Sequence, residues 1–137
     1  MYKQLSWLAG LGVLGLVSQV SAHHSFQAVY DMNEPLTVEG TVTKLEWMNP
    51  HIYYYVDVAQ DDGSVVNYRI EGGTPNSLYR RGWRKDDMKP GDVITVRAFR
   101  ARNGSDNLAG RMVTLADGRR VFAGSTDGGP TEADLEQ

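Results

Sequence analysis

The sequence predicts a mainly β domain, with five to six short strands closed into a small barrel and one short helix between strands 3 and 4. Three observations carry that prediction. Apolar and polar residues alternate over several short runs separated by turn residues. The first run changes parity along its length, and the one clear helix signal falls between the third run and the fourth. A bent first strand can pair on both sides of a barrel. With the helix in that position, the order matches the OB-fold, a partly open five-stranded barrel. An SH3-like barrel or a small sandwich accommodates the strand count but does not explain the helix.

Leu36, Val38 and Val42 share one parity, with Gly40 among them, and the parity flips at Leu45 and Trp47. A flip inside a strand requires a bulge or bend, and Gly40 is the residue expected to permit it. Asn49-Pro50 breaks the run. Ile52, Tyr54, Val56 and Val58 then alternate against Tyr53, Tyr55, Asp57 and Ala59, a half-buried second strand. Asp61-Asp62-Gly63-Ser64 is hairpin chemistry, and Val66, Tyr68 and Ile70 line one face of the returning strand. Thr74-Pro75 offers an N-cap and a first-turn proline, and Gly82 a stop, which predicts a helix over Pro75–Arg81 with Leu78 as its anchor. After the Lys89-Pro90-Gly91-Asp92 turn, Ile94, Val96 and Ala98 alternate with Thr95, Arg97 and Phe99. Leu108–Leu115 and Arg120–Ala123 supply the last two strands.

Residues 1–22 read as an export signal: Lys3, an apolar run from Trp7 to Val17, then Val20 and Ala22 at the small-residue cleavage positions. That run is too short and too glycine-broken for a stable membrane span, so the expected location is the periplasm, with cleavage near Ala22. The chain has no cysteine, which excludes a lipid anchor on that residue and any disulfide framework. Residues 23–123 are expected to form the barrel. Residues 124–137, polar, glycine-rich and acidic, are expected to form a disordered tail. The chain carries 14 Lys and Arg against 17 Asp and Glu. That acidic balance argues against nucleic-acid binding, because phosphate neutralisation dominates such affinity. Arg80, Arg81, Arg84, Lys85, Arg97, Arg100 and Arg102 form a basic quarter that Asp86-Asp87 interrupts, so a solvated, salt-bridged face is expected there.

Ala22-His-His-Ser-Phe26 and Gly40-Thr-Val-Thr-Lys-Leu-Glu-Trp-Met-Asn-Pro-His51 are followed by Glu71-Gly-Gly-Thr-Pro-Asn76, Arg80-Arg-Gly-Trp83, Lys89-Pro-Gly-Asp92 and Gly118-Arg-Arg-Val-Phe-Ala-Gly124. Together these segments resemble DUF6152, a family of exported bacterial proteins of unknown function. The resemblance implies an exported OB-like barrel and supplies no catalytic residue.

The densest cluster for chemistry is Trp47-Met48-Asn49-Pro50-His51. Trp47, Asn49, His51 and Trp83 are the candidate ligand-binding residues, for a small ligand or a periplasmic protein partner; the bland alternative is a capped barrel end with a tight Asn-Pro turn. Tyr53, Tyr55 and Arg69 would face outward on strands two and three, where OB barrels bind, although cross-strand aromatic packing is the better explanation of the tyrosines. Cleavage after Ala22 would place a free amine beside the imidazoles of His23 and His24, a chelate suited to Cu(II); cleavage one residue earlier would put His23 second and His24 third. His23, His24, His51 and Met48 are therefore the candidate copper ligands, and copper is the one cofactor the sequence suggests. No cysteine nucleophile, nucleophile elbow or H-E-x-x-H is present, so the expected function is non-enzymatic.

Overall fold

A computed structural model describes residues 26–125 and 129–135. Six strands, β1 (Tyr30–Glu46), β2 (Tyr53–Ala59), β3 (Val65–Glu71), β4 (Val93–Ala101), β5 (Asn107–Thr114) and β6 (Arg120–Phe122), form one sheet in the order β3-β2-β1-β4-β5-β6. Neighbours in that order are antiparallel, and a parallel pairing of β3 with β5 closes the ring. Helix α1 (Pro75–Arg80) lies between β3 and β4, followed by a 3-10 turn over Lys85–Asp87; a single helical turn, α2 (Glu132–Leu135), lies near the C-terminus. This is an OB-like barrel. The expected export signal, with His23 and His24, lies outside the described residues.

The long first strand closes the barrel because it serves two partners. Tyr30 and residues 35–41 pair with β4, with an irregularity between Tyr30 and Pro35, and residues 41–46 pair with β2. The parity flip comes from a bulge between Val42 and Lys44, not from Gly40. Gly40 is required for another reason, since a Cβ there would overlap the Asp57 carbonyl oxygen and lie 2.8 Å from Val56 Cγ1. It is the point where the bent strand passes under β2 with no room for a side chain.

The inner core follows the alternation of the strands. Ile52, Tyr54, Val56, Ile70, Val96, Ala98, Leu108 and Val113 are fully buried, with Leu78 of α1 and Trp83 beside them. Helix α1 starts as its sequence dictates, with Thr74 Oγ1 accepting the Ser77 N–H at 3.2 Å and Pro75 in the first turn. It ends one residue earlier than expected, with Arg81 as the C-cap. Gly82 then takes a positive φ of 90°, and the Trp83 N–H donates back to the Leu78 carbonyl at 3.0 Å. That reversal swings Trp83 inward. Gly72 and Gly73 are buried, and their N–H groups donate to Ile52 and Ala123 carbonyls, so this glycine pair serves close packing.

A second apolar cluster lies outside the barrel wall. Phe99, Ala101, Ala109, Met112 and Phe122 project outward from β4, β5 and β6 and are covered by Phe26, Tyr30 and Leu135. β5 is therefore covered on both faces, and every residue from Leu108 to Val113 is buried. Residues 129–135, expected within a disordered tail, instead dock through Leu135, whose burial contributes about 2 kcal/mol. No helix among the described residues is long and apolar enough to cross a membrane.

Candidate aromatic and ionic patch on β2 and β3

The barrel's outward face over β2 and β3 is built by cross-strand pairs. Tyr53 lies opposite Glu71, and Tyr55 opposite Arg69. The Arg69 guanidinium sits 3.6 Å from the centre of the Tyr53 ring, and the Lys44 ammonium 5.2 Å from that of Tyr55. Tyr55 donates to Glu46 Oε2 at 3.2 Å. Lys44, hydrogen-bonded to Glu46, holds that carboxyl below its ordinary range. Beside these pairs, the Asn67 amide donates to Asp57 at 2.7 Å. Two phenol rings, two cations and three carboxylates thus share one half-exposed surface.

His51 caps this surface where the chain enters β2, after a cis Asn49–Pro50 bond. Its Nδ1 lies 2.9 Å from the Gly72 carbonyl oxygen and 3.5 Å from Glu71 Oε1. A carbonyl only accepts, so Nδ1 carries the hydrogen, and in the neutral ring the lone pair is on Nε2. Glu71 in turn accepts the Tyr30 hydroxyl at 2.7 Å. Burial and that bond to Glu71 both push the Tyr30 hydroxyl well above the usual phenol range. Imidazole, carboxylate and phenol therefore form one line of polar contacts from the rim of β2 to the start of β1.

The sequence-selected residues separate in space. Trp47 is half-buried and stacks edge-on against Trp83, ring centres 5.7 Å apart and planes at 79°. Asn49 is exposed and Met48 is 56% exposed. Trp83 is not a surface residue: it is 0% exposed, with Tyr54 on another side at 6.2 Å, because the Gly82 reversal carries it into the core. It supports Trp47 from beneath and offers no surface to a ligand. Glu71 and Tyr30 carry no sequence signal of their own, although the register places Glu71 directly opposite Tyr53.

Among the described residues, no group of three or more His, Asp or Glu side chains is placed to hold a metal ion. Of the candidate copper ligands, His51 and Met48 are described, and His23 and His24 are not. A separate groove of about 350 Å³ opens at the far end of β2, floored by Val38, Val58 and Tyr68, with Glu39, Asp61 and Arg100 at its rim.

A family model for DUF6152, described as a family of unknown function, matches residues 12–110. No curated protein matches the chain. Among solved structures, the chain is similar to the crystal structure of the mitochondrial single-stranded DNA binding protein Rim1 from S. cerevisiae. The two are 14% identical with a TM-score of 0.47, over 60% of this chain and 92% of that one.

Proposed function

The chain belongs to DUF6152, a family of unknown function, and from that premise we propose that it is an exported, periplasmic, non-enzymatic binding module. Its binding surface is the outward β2–β3 face with the Trp47–His51 loop at its rim. The observation that supports this most directly is the pairing of Tyr53 with Glu71 and Tyr55 with Arg69 beneath His51. Such a surface offers ring faces, a guanidinium and carboxylates at fixed spacing, the chemistry that grips a small polar or planar ligand or a protein side-chain cluster.

The test is a fragment screen read by amide NMR shifts on the whole protein. Hits should move the amides of residues 51–55 and 69–71 and lose that effect in Tyr53→Ala and His51→Ala variants. Hits that instead gather at the far-end groove, or that survive both substitutions, would remove this face from consideration.

A second reading, a periplasmic copper handler, is favoured by one feature of His51. Its Nδ1 is committed to Gly72, which leaves Nε2 oriented as a metal-ligating imidazole is when its other nitrogen is anchored. His23 and His24 would supply the remaining nitrogens, with Met48 as the soft ligand for Cu(I). Calorimetric titration of correctly processed protein should give sub-micromolar Cu(II) binding that weakens at least tenfold in His51→Ala and is lost when an extra residue blocks the amine. Weak binding indifferent to both changes would dismiss the copper reading.

A further inference from the structure

We infer that the outer face of β4–β6 is a groove for an acidic peptide with one aliphatic anchor, and that the chain's own C-terminal segment occupies it. This surface is distinct from the β2–β3 face and does not depend on the function proposed there.

The floor is apolar: Phe99, Met112 and Phe122, with Ala101 and Ala109 between them. Leu135 inserts against this floor and is 8% exposed. Three arginines border this face, and each donates to a main-chain carbonyl of residues 124–135. Arg97 Nη1 donates to the Leu135 carbonyl at 2.6 Å, Arg81 Nη1 to the Gly124 carbonyl at 2.9 Å, and Arg111 Nη1 to the Ser125 carbonyl at 2.8 Å. Arg81 is stacked 4.8 Å from the Phe122 ring centre and Arg111 4.2 Å from that of Phe26, so both guanidinium groups are held at fixed positions along the groove. Arg81 is also within electrostatic reach of Glu132.

Main-chain carbonyls and one leucine are what this groove holds, with the Glu132 carboxylate nearby, and any acidic peptide with a leucine offers the same groups. By sequence, residues 124–137 carry Asp127, Glu132, Asp134 and Glu136 and neither Lys nor Arg. Of these, Glu132 and Asp134 lie in the docked helical turn, and the charge of Glu132 complements Arg81. Gly129 lies directly over the Arg111 guanidinium, where a Cβ would overlap Nη2 and lie 2.8 Å from Phe26 Cε1. A backbone without a side chain at that point is a requirement the groove imposes on its occupant. Tethering makes the segment a high-concentration competitor, so a free peptide gains access when the segment lets go. Among the described residues beyond Ser125, the segment holds on through one buried side chain, a four-residue helix and the Arg97 bond to the Leu135 carbonyl, a grip suited to exchange.

The experiment uses the full chain and a fluorescein-labelled peptide of residues 124–137, read by anisotropy. Leu135→Ser removes the anchor of the tethered segment and Gly129→Val blocks its path, and neither alters the barrel. Each variant should bind the labelled peptide at least tenfold more tightly than the unaltered chain. Adding Arg97→Glu, at an exposed position, should abolish the gain, as should a peptide in which Leu135 is Ser or the four carboxylates are amides. Equal binding by the unaltered and released chains, or insensitivity to Arg97→Glu, would overturn the proposal. Competition by a neutral alkyl maltoside as effective as the peptide would reduce the surface to a nonspecific apolar face. An unaltered chain that sediments as a dimer and is dissociated by the peptide would assign the groove to a second copy's tail instead.

Discussion

The two apolar clusters of this barrel, one inside the wall and one outside it, are assembled by different rules. The inner cluster is made largely of residues that alternate along the strands and meet when the ring closes; most of its members belong to elements already held by the hydrogen-bond ladder. The outer cluster depends on residues beyond the strands. Its cover includes Phe26 and Leu135, near the two ends of the described chain, and an arginine bond to a main-chain carbonyl holds the second of these. The inner cluster should therefore be lost only with the whole fold, while the outer one can open by itself.

The largest effect should come from the inner cluster. Trp83→Ala should cost about 3–5 kcal/mol in denaturant unfolding, because a fully buried indole leaves a cavity that its neighbours cannot fill. Gly40→Ala should cost about 1–3 kcal/mol, because its methyl would have to displace the Asp57 carbonyl from the β1–β2 crossing. Leu135→Ser should cost no more than about 2 kcal/mol and should leave the barrel's cooperative transition in place. If Leu135→Ser destabilised the fold as much as Trp83→Ala, the distinction between the clusters would collapse.

Tyr54 sharpens the comparison from the opposite direction. Its hydroxyl is buried, has no hydrogen-bond partner among the described residues and packs against Gly110. Tyr54→Phe should therefore leave stability unchanged or raise it by about 1 kcal/mol, since removing an orphaned polar group removes its desolvation cost. Tyr30, in the outer cluster, has Glu71 as its acceptor, so Tyr30→Phe should be destabilising and not stabilising. Burial, the leading cause for each, pushes both hydroxyls above the ordinary phenol range. A raised folded-state pKa on an acid means that the folded form holds its proton more tightly. Stability from these two groups is thus intact below pH of about 10, where unfolded tyrosine ionises, and is lost as the pH rises above it. In an absorbance titration, Tyr30 and Tyr54 should stay silent until the protein unfolds.

Most of the inner barrel is legible in the sequence because period-2 alternation reports one buried face. Ile52, Tyr54, Val56 and Val58 are all buried as the pattern demands. The bend of β1 is legible as an event and not as a position. Parity marks a bulge somewhere between Val42 and Leu45, whereas Gly40 is demanded by a neighbour that sequence does not display. The outer cluster leaves two traces. One is Phe99, apolar on the polar side of β4; the other is Leu108-Ala-Gly-Arg-Met-Val113, which lacks period-2 alternation and proves buried throughout, as a strand covered twice is. Neither trace says what the cover is, because Phe26 and Leu135 have no periodic relation to it. At the candidate site, the Tyr53, Tyr55 and Arg69 grouping follows from strand parity alone. The Tyr30–Glu71 bond spans 41 residues and depends on ring closure, so no local pattern announces it. Trp83 is misplaced by sequence because an aromatic just past a helix-ending glycine reads as a surface residue until the turn at Gly82 is seen to point it inward.

Native-state amide hydrogen exchange tests the separation of the two clusters most directly. Amides of β2 and β5 should exchange only through global unfolding, while those of residues 26–29 and 132–135 should exchange through a smaller, denaturant-insensitive opening that Leu135→Ser makes easier still. A common opening free energy for both sets, shifted together by Leu135→Ser, would contradict it.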